Sequence, residues 1–239
     1  MTPDPAEELL SSWQVRETFE EATGRSVRPD PVAARTGGAA GNARLTAWTG
    51  ALLLVLLAAE GITLLDVRGL IGWHVAIGTL LIPPALLKTA TTGWRVVRYY
   101  RGAAAYRLAG PPPMPLRVLG PLVVVSTLAV LGTGVLVVLL GPERGRGSLW
   151  GTPISALFLH QASFAVWIAV TTLHVLGRLV PALNIITGRV TTSTVAGRIA
   201  RTAALLVVAG LAIWLAIVLY AAVPGWQHDL PFQDLHDGG

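Results

Sequence analysis

Residues 74–88 read HVAIGTLLIPPALLK, an apolar stretch with a proton-binding side chain at each end. His74 opens the stretch, and Lys88, the only lysine in a chain with 17 arginines, closes it. The uncharged residues between them are typical of a helix in lipid, where ionisable side chains are costly and usually serve a function. The stretch therefore predicts a membrane-spanning segment with functional groups near both ends.

The whole chain has the composition of a membrane protein. Of its 239 residues 53% are hydrophobic and 13% are charged, whereas soluble domains carry about 25% charged residues. Lipid offers backbone groups no hydrogen-bond partners, so apolar segments near the roughly 20 residues needed to cross a bilayer must be helices. We therefore expect an all-α integral membrane helical bundle with five transmembrane helices, at about residues 45–65, 71–92, 117–140, 154–178 and 202–223.

The polar parts of the chain predict its domain organisation and its topology. Residues 1–43 form a polar segment with a weak helical pattern and no signal-peptide pattern, and their run TGGAAGN (36–42) is typical of a flexible linker. Residues 44–223 form the membrane domain, and residues 224–239 form a short acidic tail. Arginines fill the links after the second and fourth spans, which predicts a cytoplasmic N-terminus and an external C-terminus. The abundance of Ala, Arg, Val and Gly suggests a bacterial source with a GC-rich genome, and we expect the chain to be a multi-pass protein of the bacterial plasma membrane.

Two features of the composition exclude whole classes of function. The chain has no cysteine, so it cannot form disulfides, thiolate metal sites, iron–sulfur clusters or covalent haem attachments. The net charge of +5 comes from arginines in the links between apolar segments, and no nucleic-acid-binding motif accompanies them. We therefore expect no nucleic-acid partner and no cofactor that depends on a thiol.

Five ionisable side chains lie within the predicted spans, and four of them share one spacing. His74 and Lys88 are fourteen residues apart in the second span, as are His160 and His174 in the fourth. Fourteen residues fall about 40° short of four full helical turns and rise about 21 Å, so each pair shares one face of its helix. Both spans run in the same direction, which places His74 level with His160 and Lys88 level with His174. The fifth residue is Glu60, near the external end of the first span.

Neutral imidazoles are common ligands of metals, and two of them on facing helices can hold one haem iron. The alternative for a single intramembrane histidine is a hydrogen-bonded packing residue. The repeated spacing at matched depth favours ligation over packing. We therefore predict His74, His160 and His174 as metal ligands, with a bis-histidine haem between His74 and His160.

On these residues the chain resembles the membrane cytochromes b of bacteria, which hold b-type haem between histidines of different helices and exchange electrons with quinones. The resemblance covers about residues 45–223 and rests on the His160 and His174 interval together with His74 on the second span. It implies that the membrane domain binds one or two haems b. It also implies a quinone or quinol and a partner redox protein as electron donor and acceptor.

Lys88 departs from the family pattern, since a two-haem member carries a fourth histidine there. Three roles are open for its amine: an iron ligand opposite His174, a polar contact to a cofactor, or a packing residue that extends to the inner interface. Arginine could not ligate iron, because its guanidinium does not lose a proton. Lys88 is therefore included with the three histidines as a candidate cofactor-binding residue.

The leading hypothesis is an electron-transfer subunit, and two other classes stay open. A proton-coupled transporter or channel would use the same ionisable side chains as a proton relay, although no second span repeats the Pro83–Pro84 break. A membrane anchor for a soluble oxidoreductase would bind no cofactor. Glu60 either handles protons beside the external site or reaches the membrane interface.

Overall fold

A computed structural model describes residues 5–190 and 194–228, with side chains for 12–190 and 194–227. Its helices are α1 (Pro5–Ala22), α2 (Gly38–Thr63), α3 (Ile71–Leu80), α4 (Ile82–Tyr100), α5 (Ala104–Ala109), α6 (Met114–Arg146), α7 (Ala156–Ile186), α8 (Arg198–Tyr220) and α9 (Val223–His228). Five helical segments are long and apolar enough to cross a membrane: Gly38–Asp66, Ile71–Tyr100, Met114–Arg146, Ala156–Ile186 and Arg198–Tyr220. The five predicted spans are confirmed, and the protein is an all-α, multi-pass membrane protein.

The second span is interrupted at the position that its prolines predict. α3 ends at Leu80 and α4 begins at Ile82. Pro83 and Pro84 have no N–H group to donate to the carbonyls four residues earlier, so the regular hydrogen-bond pattern fails there. Leu81 keeps helical backbone angles (φ −69°, ψ −25°), which lets α4 follow α3 directly.

The glycine-rich run at 36–42 does not behave as the predicted flexible linker. From Gly38 onwards it forms the first turns of α2, and Ala39 and Ala40 are almost completely buried. A side chain at Gly37, whose φ is +76°, would lie 2.7 Å from Val195. The small residues of this run therefore serve close packing against the 195–197 segment, a use of glycine that composition alone does not distinguish from flexibility.

Other helix ends also differ from the predicted ones. α6 contains a break at Gly141, where φ is 72°, and continues to Arg146. The predicted end of the third span, at residue 140, coincides with that break. α7 continues through Pro181 to Ile186, beyond the predicted end at residue 178. The added residues of α6 are polar (GPERGR, 141–146), whereas those of α7 are mostly apolar (LVPALNII, 179–186).

The chain divides into two compact units. Unit 1 comprises residues 1–51, 87–125 and 168–203, and unit 2 comprises residues 52–86, 126–167 and 204–239. Most of the long helices contribute a segment to each unit.

Ion pairs attach the polar N-terminal segment to the helices of unit 1. Asp30 accepts two hydrogen bonds from Arg95 of α4, at 3.0 and 2.7 Å. Glu21 accepts a 2.6 Å hydrogen bond from Arg178 of α7. Bidentate and charge-assisted pairs of this kind are the stronger ones. They explain why a polar segment outside the membrane spans packs against their ends.

In unit 2 an aromatic side chain from the end of the chain completes an apolar cluster. Trp226 of α9 is buried with Val137 and Ala156. On α7, Trp167 donates a 3.0 Å hydrogen bond to the hydroxyl of Thr127 on α6. The tail beyond residue 228, with its aspartates and His236, lies outside the described residues, and the orientation of the termini stays a prediction.

Candidate functional site

The two histidines predicted to face each other do so in unit 2. The ring centroids of His74 on α3 and His160 on α7 are 6.3 Å apart, with an angle of 72° between the ring planes. The spacing argument from sequence predicted this meeting. We call these two side chains, with the groups that hydrogen-bond to them, the His74–His160 site.

Two side chains of the first span hold the His74 ring. Nδ1 of His74 lies 2.9 Å from Oε1 of Glu60 and 3.1 Å from the hydroxyl of Thr63. That hydroxyl donates its own proton to the carbonyl of Glu60, at 2.6 Å, so it can only accept from the ring. Nδ1 of His74 is therefore the protonated nitrogen, and Nε2 carries the lone pair.

His160 is held in the same tautomer by α6. Its Nδ1 lies 3.1 Å from the carbonyl oxygen of Val130 and 3.3 Å from the hydroxyl of Thr133. The carbonyl can only accept, and the Thr133 hydroxyl donates to the carbonyl of Ala129 at 2.6 Å. His160 therefore also has a proton on Nδ1 and a lone pair on Nε2.

Glycines make room for these side chains on both sides of the site. A Cβ atom at Gly134 would lie 3.1 Å from Cε1 of His160, and one at Gly78 would lie 3.4 Å from Oε1 of Glu60. Most observed Cβ contacts are longer than the first of these distances. The glycine at 134 thus allows the imidazole to lie directly against α6, whereas Gly132 has open space beside it.

The two imidazoles are donors of a kind that could hold a haem iron. Histidines that bind metals usually donate their other N–H to a carboxylate or a backbone carbonyl, and these are the partners of His74 and His160 respectively. Taking a metal–nitrogen bond of about 2.0–2.1 Å and about 1.1 Å from nitrogen to ring centroid, two imidazoles on opposite sides of one ion have centroids about 6.3 Å apart. The observed ring separation agrees with that value. The described residues contain no group of three or more His, Asp or Glu side chains that could hold a metal ion by themselves.

Lys88 and His174 lie in unit 1, where their side chains have few described hydrogen-bond partners. Together with Thr46, Gly50 and Arg178 we call them the Lys88 region. The amine of Lys88 points to α2, where it lies 3.4 Å from the carbonyl of Thr46 and would lie 2.9 Å from a Cβ atom at Gly50. Among the described residues no hydrogen bond joins His174 to Lys88.

His174 itself has a buried Nδ1 without a hydrogen-bond partner in the described part of the chain. Its tautomer is therefore not fixed by the protein as those of His74 and His160 are. A buried polar atom without a partner calls for an explanation, such as an ordered water or a bound group. The predicted pairing of His174 with Lys88 across one iron has no such anchoring contact in its favour.

Sequence reasoning missed the hydroxyl groups that complete both regions. Thr63 follows Glu60 by three residues, and Thr133 precedes Gly134, so both patterns were visible but not distinctive. In unit 1 the hydroxyl of Thr46 donates to that of Thr91 at 2.9 Å, and Asn42 donates to the Thr91 carbonyl at 3.0 Å. The sequence signal for these hydrogen bonds is the four-residue spacing of Asn42 and Thr46, next to alanines 39, 43 and 47, which are buried in the structure.

The comparisons with known proteins add no relative. No family model, curated protein or solved structure matches this chain. What can be said of its function rests on its own residues and their geometry.

Proposed function

We propose that the protein is a membrane-embedded b-type cytochrome that carries electrons between quinone and a partner redox protein, with haem b held by His74 and His160. The location that we propose for it is the plasma membrane of a bacterium. The single observation that carries the proposal is the matched pair of imidazoles. Each has its Nδ1 proton committed to the protein, and the ring centroids are 6.3 Å apart, a separation that two imidazoles have on one ion when both Nε2 atoms face it.

The bound haem supplies the one-electron chemistry, and the chain's own residues set the conditions for it. Helices α3 and α7 deliver the two rings, and α2 and α6 fix their tautomers. The side chains of His74 and Glu60 are only 20% and 14% exposed, which limits access of water to the ligand. Ligand identity, hydrogen bonding and burial are the properties through which a protein tunes the potential of a haem.

A second haem in the Lys88 region has weaker support. The buried Nδ1 of His174, which has no hydrogen-bond partner among the described residues, is consistent with a bound group there. The amine of Lys88, however, is directed to the Thr46 carbonyl. One haem per chain is therefore the stoichiometry that the geometry favours.

Absorption spectra of the detergent-purified protein test the proposal. We expect reduction with dithionite to produce the sharp visible bands of a six-coordinate b-type haem, and pyridine extraction to give one haem per chain. His74→Ala should remove these bands while the variant still inserts into the membrane. A wild-type protein that contains no haem would contradict the proposal.

One observation favours a second candidate function, a proton relay. Glu60, His74 and His160 form a continuous series through the 2.9 Å hydrogen bond and the ring contact, and ionisable side chains inside membranes often conduct protons. Proteoliposomes with an internal pH-sensitive dye would distinguish the two functions. A proton flux that is lost in Glu60→Gln, in protein free of haem, would support the relay.

A further inference from the structure

The two imidazoles of the His74–His160 site differ in the charge of their hydrogen-bond partners. Nδ1 of His160 donates to a neutral backbone carbonyl, that of Val130, whereas Nδ1 of His74 donates to the carboxylate of Glu60. An anionic acceptor makes a stronger hydrogen bond than a neutral one. The two ligands are thus chemically unequal although both are histidines.

The contacts of Glu60 concentrate its carboxylate on His74. Oε1 makes the 2.9 Å contact with the ring, and Oε2 is buried without a hydrogen-bond partner among the described residues. The glycine at 78 leaves the space that this carboxylate uses beside α3. Thr63 supplies only a hydroxyl acceptor, since its proton is committed to the Glu60 carbonyl.

A carboxylate that accepts a hydrogen bond from Nδ1–H raises the electron density at Nε2. Such partners orient metal-binding histidines and increase the basicity of the ligand. A more basic axial ligand stabilises ferric iron relative to ferrous iron, which lowers the potential of the haem. The effect requires the negative charge and the hydrogen bond together, at this one ring nitrogen.

We propose that Glu60 is a positioning residue for the His74 ligand, whose carboxylate fixes the Nδ1–H tautomer and lowers the potential of the haem. This inference rests on the proposed haem at His74 and His160. It assigns to Glu60 a role that differs from proton handling and from contact with the membrane interface.

The experiment compares redox potentials of purified variants at one fixed pH. Removal of partners of this kind usually changes metal affinity or activity by 10–100-fold. A tenfold change in the ratio of ferric to ferrous affinity corresponds to about 59 mV for one electron. We expect Glu60→Gln, which keeps the shape and an acceptor oxygen but removes the charge, to raise the potential by at least that amount.

A matched control separates the local effect from loss of a charge in general. Glu143 lies exposed near the C-terminal end of α6 and makes no described contact with either histidine. Glu143→Gln removes the same charge and should leave the potential within a few millivolts of the wild-type value. Equal shifts in the two variants would overturn the role of Glu60.

Glu60→Asp covers the case in which Glu60→Gln does not retain haem. The shorter side chain keeps the charge but moves it away from the ring, so we expect haem to be retained at a raised potential. Unchanged potentials in Glu60→Asp and Glu60→Gln, with haem present, would overturn the inference and leave the cytochrome proposal intact. Absence of haem from the wild-type protein would instead remove the cytochrome proposal on which the inference rests.

Discussion

The His74–His160 site and the Lys88 region contain similar nitrogen bases at the same fourteen-residue spacing, yet their surroundings differ. At the first, each imidazole has a fixed tautomer and an acceptor from a neighbouring helix. In the second, His174 Nδ1 has no described partner and the Lys88 amine has one long contact. Equal spacing along a helix therefore places two nitrogen bases on one face but does not ensure that hydrogen bonds fix both of them for metal binding. Whether a histidine is fixed in this way depends on whether an adjacent helix places a hydrogen-bond acceptor beside its Nδ1.

The largest expected effect on haem binding comes from replacing each of the two histidines of α7 separately by alanine. His160→Ala should abolish haem binding, because one of two axial ligands is lost. His174→Ala should keep one haem per chain with unchanged visible bands. Pyridine extraction of both purified variants measures this. Loss of half of the wild-type haem in each variant would contradict this prediction, because it would show that the two regions are equivalent.

An intermediate effect is expected from filling the space beside His160. Gly134→Ala places a Cβ atom 3.1 Å from Cε1 of His160, so the ring must shift by a few tenths of an ångström. We expect haem affinity to fall about tenfold, in the range seen when partners of a metal ligand are disturbed. Haem titration of the purified protein measures the change.

Gly132→Ala is the matched control for this substitution. It lies on the same helix, and a side chain there meets nothing within 4 Å. Its haem affinity should equal that of the wild type, while the higher helix propensity of alanine offers up to about 1 kcal/mol of helix stability. If both alanine variants bind haem equally well, the close contact at Gly134 has no part in the site.

The smallest effect is expected at Lys88. Lys88→Met removes an ammonium whose only described hydrogen bond is 3.4 Å long, and burying a charge without good partners costs free energy. We expect the free energy of unfolding in mixed micelles to change by less than about 1 kcal/mol or to rise. Haem content should not change.

Lys88→Arg distinguishes the roles that remain open for this amine. Arginine keeps the charge but cannot ligate iron, because it does not deprotonate. Retention of the full haem content in Lys88→Arg agrees with the geometry of the Lys88 region. Loss of one haem from a two-haem protein would establish Lys88 as a ligand and would make the two regions alike.

The fold and part of the candidate site could be predicted from the sequence. The five spans follow from composition, since the cost of placing unpaired backbone groups in lipid acts on each segment independently of its neighbours. The proline break at residue 81 follows from local chemistry in the same way. The meeting of His74 with His160 was also predictable, because two parallel helices bring residues of equal depth to the same level.

Contacts between helices were not predictable. The run at 36–42 has the composition of a linker, but its glycines and alanines pack closely in unit 1. Thr63 and Thr133 resemble other threonines in apolar segments until their neighbours are known. The direction of the Lys88 side chain depends on the space that Gly50 leaves on another helix.

The sequence alone determined that this protein is helical, crosses the membrane five times and carries a few bases within its spans. These properties depend on the free energy of transferring each segment from water to lipid, and that free energy is a sum over the residues of the segment itself. Only the tertiary structure decided which nitrogen of His74 and of His160 holds the proton and where the carboxylate of Glu60 is directed. Hydrogen bonds between helices depend on the rotation of two helices relative to each other and on the distance between them. Neither quantity can be read from the sequence of one helix.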